Sequence, residues 1–121
     1  MTPGTPRFVL LLVPDLFFTA RIRTAAQHLG VEVAPTEPAR LAAECRARRP
    51  DLVIVDLHAA GGALDAIRDL KRDPALAAIP VTGFYSHVDA ATRDAGLAAG
   101  VDVAMPRSAF TVKLAALLAG G

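Results

Sequence analysis

The stretch PDLVIVDL occupies residues 50–57 and contains an unbroken apolar run between two aspartates. A strand that is apolar at every position is typical of a parallel sheet, in which central strands are buried on both faces. Asp56 follows this run directly, at the strand end where such sheets gather their functional side chains. The stretch therefore predicts a central strand with a functional carboxylate at its carboxyl end.

Further apolar runs lie on both sides of this stretch along the chain. They cover residues 8–13, 31–34, 81–84 and 101–105, and only Asp102 interrupts the last. Between the runs lie Ala-rich stretches of roughly ten to fifteen residues with helical periodicity. Strands that alternate with helices predict repeated βαβ units. We therefore expect a three-layer α/β fold around a parallel five-stranded sheet.

Glycine, proline and aspartate residues mark the expected ends of the helices. A glycine is typical of a left-handed C-cap, and a proline suits a first turn. The predicted limits are Gly30 after the first helix, Pro38 and Pro50 around the second, Asp73 after the third, residues 90–99 for the fourth, and residues 109–119 with Ser108 as cap for the fifth. The predicted core faces are Phe17, Ile22, Ala25, Ala26 and Leu29 in the first helix, and Leu64, Ile67 and Leu70 in the third.

Two carboxylates are expected to meet at the carboxyl edge of this sheet. In a doubly wound sheet of order 2-1-3-4-5, the first and third strands are neighbours at the point where the winding reverses. Asp15 follows the first strand and Asp56 follows the third. The topology therefore predicts that both side chains lie in one crevice.

Length, charge and cysteine content limit the classes of protein that fit. The chain has 121 residues, 53% of them hydrophobic, which suits a single domain over residues 7–121. Residues 1–6 are expected to form a flexible arm. A formal net charge of +1 predicts no bulk attraction to nucleic acid or membranes. Residues 8–13 are too short a run for a signal or membrane segment. Cys45 is the only cysteine, so we expect a reducing, cytoplasmic setting.

Several motifs occur in a fixed order along nearly the whole chain. They are Asp15 after the first strand, the 50–57 stretch, Asp73-Pro74 leading to Ile79-Pro80-Val81, and Ala99-Gly100-Val101-Asp102. In order and spacing they resemble the receiver domain of bacterial response regulators, the CheY-like family. The resemblance implies a flavodoxin-like (βα)5 fold and a role in two-component, phosphorelay-type signal transduction.

The resemblance also implies a phosphoacceptor site assisted by Mg²⁺. Receivers carry an acidic pair after the first strand, which here falls on Pro14 and Asp15, and an acceptor aspartate, which falls on Asp56. Mg²⁺ is held by one or two carboxylates together with water, so Asp15 and Asp56 offer two ligands. Pro14 removes the second acid and a backbone donor. We therefore expect weak Mg²⁺ binding and no other cofactor.

The positions that would respond to a phosphoryl group are altered. The Thr or Ser that receivers carry after the fourth strand falls on Tyr85, with Ser86 beside it. The family lysine after the fifth strand falls on Arg107, which keeps the charge but presents a wider planar group. A bulky phenol cannot make the inward swing of a small hydroxyl. The pattern thus predicts a degenerate receiver, with Ser86 as a substitute if the loop shifts by one residue.

Two histidines are expected at the rim of the crevice. His58 and His87 each lie two residues beyond a site position, and with Asp15 and Asp56 they offer mixed ligands for zinc. Residues 56–61 also match the cobalamin pattern D-x-H-x-x-G, but here the pattern follows the third strand instead of the first. Surface histidines are common, which is the simpler interpretation, and a role in pH-sensitive loop packing is a further alternative.

The last helix is predicted to meet a partner or a second copy of the chain. Between residues 109 and 119 only Thr111 and Lys113 are polar, so apolar side chains occur all round the helix. The candidate interaction face consists of Val112, Leu114, Leu117 and Leu118. Receivers often dimerise or signal through their fourth helix, fifth strand and fifth helix, which favours this face.

The leading hypothesis is a stand-alone, degenerate receiver that acts by protein contact. Its expected partner is a protein, such as a histidine kinase, an output protein or a second copy. No nucleophile, base and orienting group occur at compatible strand ends, so we expect no enzymatic activity. Two alternatives stay open: a receiver that accepts phosphate at Asp56 with Mg²⁺, and a flavodoxin-like module that binds a small molecule.

Overall fold

The computed structural model describes residues 6–86 and 89–120. Within these ranges five strands alternate with five helices, in the order β1 (Phe8–Leu12), α1 (Leu16–Leu29), β2 (Glu32–Pro35), a 3₁₀ turn (Pro38–Arg40), α2 (Leu41–Ala47), β3 (Leu52–Asp56), α3 (Ala63–Arg72), β4 (Val81–Tyr85), α4 (Ala90–Ala99), β5 (Val103–Pro106) and α5 (Arg107–Ala119). Residues 1–5 of the predicted arm and His87 lie outside the described residues. None of the described helices has the length and apolar character needed to cross a membrane.

The sheet is parallel throughout, in the order β2-β1-β3-β4-β5. Helices α2, α3 and α4 cover one face with the buried side chains Leu41, Cys45, Ala63, Ile67, Leu70 and Ala99. Helices α1 and α5 cover the other face with Phe18, Ile22, Ala26, Phe110, Leu114 and Leu118. Because both faces are covered, every residue of β1 and β4 is buried. The predicted three-layer, doubly wound fold is confirmed.

The core face of α1 differs from the predicted one. The Asp15 side chain caps the helix by accepting hydrogen bonds from the backbone N–H groups of Phe17 (2.9 Å) and Phe18 (3.2 Å). Phe18 lies four residues before the buried Ile22 and faces the core at 7% exposure, whereas Phe17 is 91% exposed. The prediction of Phe17 and Leu29 as core residues is wrong, because both lie on the solvent side of the helix.

Helix α5 starts earlier than predicted and buries half of the candidate interaction face. It begins at Arg107 directly after Pro106, and no side chain caps it, so the prediction of Ser108 as the cap is wrong. The helix lies against the sheet along Phe110, Leu114 and Leu118, which recur at intervals of one helical turn. Leu114 and Leu118 therefore belong to the core, and Leu117 packs partly against it. Val112 remains exposed, at 85%.

An ion pair between the largely buried Lys71 and the half-exposed Asp102 joins α3 to the loops around β4 and β5. Lys71 Nζ donates to Asp102 Oδ2 (2.8 Å) and to the carbonyl oxygens of Ala77 (3.0 Å) and Ile79 (2.7 Å). Asp102 Oδ2 also accepts from the backbone N–H of Val81, at 2.7 Å. The Lys71 side chain is only 15% exposed. Asp102, which interrupts an apolar run in the sequence, is thus a structural residue at the start of β5.

Leu57, next to the candidate acceptor, is wedged between β4 and α4. A Cβ atom built on Gly83 or Gly96 would lie 2.8 Å from a methyl carbon of Leu57. The two glycines therefore allow α4 to approach the sheet at this point. Their close contact with Leu57 holds the end of β3, and with it the backbone beside Asp56, in place.

Candidate functional site

The carboxylates of Asp15 and Asp56 face one guanidinium group at the carboxyl edge of the sheet. Strands β1 and β3 are paired neighbours, so the two aspartates leave adjacent strand ends. Arg107 follows β5 and reaches both: Nη1 lies 4.0 Å from Asp15 Oδ2, and Nη2 lies 3.9 Å from Asp56 Oδ2. The crevice therefore contains two carboxylates with an arginine between them.

Each carboxylate has a second oxygen that is already engaged by the backbone. Asp15 Oδ1 caps α1, as described above. Asp56 Oδ1 accepts a hydrogen bond from the backbone N–H of His58, at 2.9 Å. Asp56 is the more enclosed of the two, with a side chain 13% exposed against 41% for Asp15. One oxygen of each aspartate is thus left for the crevice, and it is the oxygen that faces Arg107.

An aromatic cluster of Phe18, Phe84 and Phe110 supports Arg107. The Arg107 guanidinium carbon lies 4.6 Å from the ring centroid of Phe18 and 5.2 Å from that of Phe84. The three rings contact one another with centroid separations of 4.9 to 5.8 Å. Cations are attracted to aromatic faces at such distances, so the cluster helps to position the guanidinium. Sequence reasoning missed this cluster, although all three phenylalanines lie close to strand ends.

The crevice does not fit a divalent cation as it stands. Two free carboxylate oxygens are suitable in type and number for Mg²⁺ or Mn²⁺ with water, but the positively charged Arg107 guanidinium lies about 4 Å from both. Pro14, at the position of the second family acid, offers no side-chain ligand. Among residues 6–86 and 89–120 no group of three or more His, Cys, Asp or Glu side chains could hold a metal ion.

Tyr85 and Ser86 point to different parts of the molecule. The Tyr85 side chain is 7% exposed and packs in the core layer beneath α2, α3 and α4. Ser86 is exposed and lines a cavity of about 590 Å³ together with Arg107, Ser108 and Thr111. Of the two predicted switch positions, the structure therefore brings Ser86 to the same cavity as Arg107, while Tyr85 belongs to the core.

His58 joins the end of β3 to the loop after β4. Its Nε2 accepts a hydrogen bond from the backbone N–H of Ser86 (3.0 Å) and lies 3.9 Å from Asp89 Oδ2. Asp89 caps α4, and hydrogen bonds from the backbone N–H and hydroxyl of Thr92 lower the pKa of this carboxyl group. With Nε2 engaged in this way, His58 serves loop packing in the structure and does not turn towards the two aspartates as a metal ligand.

Two further features bear on the alternatives raised by the sequence. A cavity of about 340 Å³, within the size range of small-ligand pockets, opens beyond β1 and β2 and is lined by Leu12, Val13, Pro14, Thr36, Glu37, Pro38, Ala59 and Ala60. This cavity and the one beside Arg107 are the two candidate sites for a small molecule.

Cys45 is buried in α2, and burial raises the pKa of its thiol to about 11. The thiol is therefore protonated at neutral pH and is a poor nucleophile.

Comparison with known proteins identifies the fold. No protein-family model matches the chain, and no curated protein matches it in sequence. The phosphorylated cyanobacterial phytochrome response regulator RcpA is 20% identical, with a TM-score of 0.77 over 96% of this chain and 91% of that one. A putative response regulator from Chloroflexus aurantiacus is 17% identical, with a TM-score of 0.79 over 93% of this chain and 99% of that one.

The Mn²⁺-bound form of the response regulator Rcp1 is also similar. It is 17% identical, with a TM-score of 0.75 over 95% of this chain and 91% of that one. At these levels of identity the similarity establishes the fold. The chain therefore has the fold of response-regulator receiver domains, as the resemblance in its motifs predicted.

Proposed function

We propose that the protein is a degenerate response-regulator receiver that signals through protein contacts and not through phosphorylation of Asp56. The observation that carries this proposal is the position of Arg107, whose guanidinium faces the free oxygens of both Asp15 and Asp56. The core position of Tyr85 supports it, because no small hydroxyl stands at the family switch position.

Phosphoryl transfer to Asp56 makes demands that this crevice meets only in part. The attacking carboxylate oxygen must approach phosphorus while cations neutralise the charge on the phosphoryl oxygens. Here the free oxygen of Asp56 faces Arg107, and the crevice does not fit a metal ion while that guanidinium remains there. A single arginine stabilises less charge than an arginine and a divalent cation together. Transfer is therefore expected to be slow or absent.

Intact-mass measurement after incubation with Mg²⁺ and acetyl phosphate tests this expectation. The unaltered chain should keep its mass, because the Arg107 guanidinium faces the acceptor oxygen and the free oxygen of Asp15. The control is Asp56→Asn, which should likewise gain no mass during the same incubation. A single added phosphoryl group that is present in the unaltered chain and absent in Asp56→Asn would contradict the degenerate assignment and favour a phosphorylated receiver.

The contact surface is proposed to lie on α4, β5 and α5. Each of these elements exposes a large apolar side chain: Leu97 is 46% exposed, Val103 48% and Val112 85%. Strand β5 is at an edge of the sheet, and both helices contact it. Exposed apolar groups on neighbouring elements are typical of protein interaction sites. A second copy of the chain, a histidine kinase or an output protein would be the partner.

Light scattering tests self-association through this surface. We expect the unaltered chain to form dimers as its concentration rises, and we expect Val112→Asp to weaken them by placing a charge in an apolar contact. Ala43→Asp adds the same charge to an exposed position on α2, on the opposite face of the sheet, and should leave dimers intact. Monomers at all concentrations in the unaltered chain would rule out the second copy as partner.

A further inference from the structure

We infer that Arg107 takes the electrostatic place of a divalent cation in this crevice and competes with any such ion for Asp15 and Asp56. A cation between two carboxylates relieves their mutual repulsion and holds them together. In this chain the positive charge comes from a side chain of the protein itself. Binding of Mg²⁺ or Mn²⁺ therefore requires the displacement of that side chain.

The first observation behind this inference is the position of the Arg107 guanidinium. Its two terminal nitrogens divide between the two aspartates, with Nη1 directed to Asp15 and Nη2 to Asp56 at nearly equal distances of 4.0 and 3.9 Å. A divalent ion that bridged the same two oxygens would lie within a few ångströms of the guanidinium. Like charges at such separations repel strongly in a partly enclosed site.

The second observation is that Arg107 contacts aromatic rings, because an arginine without such contacts could move aside. Its guanidinium lies over the rings of Phe18 and Phe84. Its backbone forms the first residue of α5, and its carbonyl oxygen accepts a hydrogen bond from Thr111 Oγ1 at 2.9 Å. The side chain is 45% exposed, so the rings hold the guanidinium from one side, and its displacement would lose the contacts with the aromatic cluster.

The third observation is that the other oxygen of each aspartate already accepts backbone hydrogen bonds. Asp15 Oδ1 accepts two hydrogen bonds at the start of α1, and Asp56 Oδ1 accepts one from His58 N–H. Asp15 Oδ1 has both lone pairs in use, and a rotation of either carboxylate would break a bond to the backbone. The oxygens most accessible to an incoming ion are therefore the two that face Arg107, which makes the competition direct.

Manganese binding, followed by the electron paramagnetic resonance signal of free Mn²⁺, tests the competition. Arg107→Met keeps an apolar side chain over the rings but removes the charge, and it should bind Mn²⁺ at least about tenfold more tightly than the unaltered chain. Arg107→Lys keeps the charge and should bind Mn²⁺ more weakly than Arg107→Met. The gain in Arg107→Met should be lost when Asp56→Asn is added, because one of the two free oxygens is then uncharged.

The matched control is Arg68→Met, which removes the same charge from an exposed arginine on α3 that pairs with Asp65. It should leave Mn²⁺ binding as in the unaltered chain, which separates a local effect from a change in net charge. Equal Mn²⁺ affinity in the unaltered chain and a folded Arg107→Met would overturn the inference.

A measurement on the unaltered chain avoids any dependence on how the variants fold. Low concentrations of Mn²⁺ should leave the backbone amide resonances of Phe17 and His58 sharp, since no ion is held beside the aspartates. Selective broadening of these two resonances would also overturn the inference. Neither result decides whether Asp56 accepts a phosphoryl group, which the mass measurement determines separately.

Discussion

Phe18→Ala is expected to lower the free energy of unfolding by about 3–5 kcal/mol, whereas Phe17→Ala should change it by less than about 0.5 kcal/mol. The two residues are neighbours in the chain, but Phe18 is 7% exposed and Phe17 is 91% exposed. Loss of the Phe18 ring leaves a cavity beside Phe84 and Phe110 and removes the closer of the two rings beneath Arg107. Urea unfolding followed by circular dichroism measures both changes.

Phe17→Ala is the matched control for this measurement, because it deletes the same atoms from the adjacent position. Equal losses of stability in the two variants would contradict the observed orientation of α1, which buries Phe18 and exposes Phe17. Phe18→Leu retains part of the buried volume and should fall between the unaltered chain and Phe18→Ala. A loss in Phe17→Ala alone would support the core face predicted from the sequence instead of the observed one.

Lys71→Met should lower the free energy of unfolding by about 1–3 kcal/mol. The methionine fills a similar volume, so the loss arises from polar groups that lose the Lys71 donor. They are the carboxylate of Asp102 and the carbonyl oxygens of Ala77 and Ile79. Chemical unfolding at neutral pH gives the value.

Lys113→Met is the control for this change, because it removes the same charge from an exposed position on α5 and should be nearly neutral. The double variant Lys71→Met with Asp102→Asn should lose less stability than the sum of the two single variants, since the residues share one interaction. Strict additivity would show that the contact contributes little. A stability of Lys71→Met equal to that of Lys113→Met would contradict the structural role of the pair.

The fold was predictable because its signals are local in the sequence. Residues 52–55 are apolar at every position, and the other runs are nearly so, which a strand buried on both faces requires. Helical periodicity between the runs, ended by residues such as Gly30, indicates parallel crossovers. The order of the strands then follows from the motifs that resemble receiver domains.

The helix faces were harder to predict because several phases fit the same composition. Phe17 and Phe18 are equally apolar, and contact with the sheet and α5 decides that Phe18, four residues before Ile22, is the buried one. In α5 apolar residues occur on every side, so the pattern does not distinguish Leu114, which is in the core, from Val112, which is exposed. Contact with the sheet decides which of them is buried.

The sequence by itself determined which residues end each strand, and therefore that Asp15, Asp56 and Arg107 lie at one edge of the sheet. These properties depend on periodicity and on residues a few positions apart. Only the tertiary structure decided that Arg107 lies between the two aspartates and against phenylalanine rings, and that Lys71 contacts Asp102. Such contacts join residues far apart in the chain, and their distances depend on how whole helices pack against the sheet.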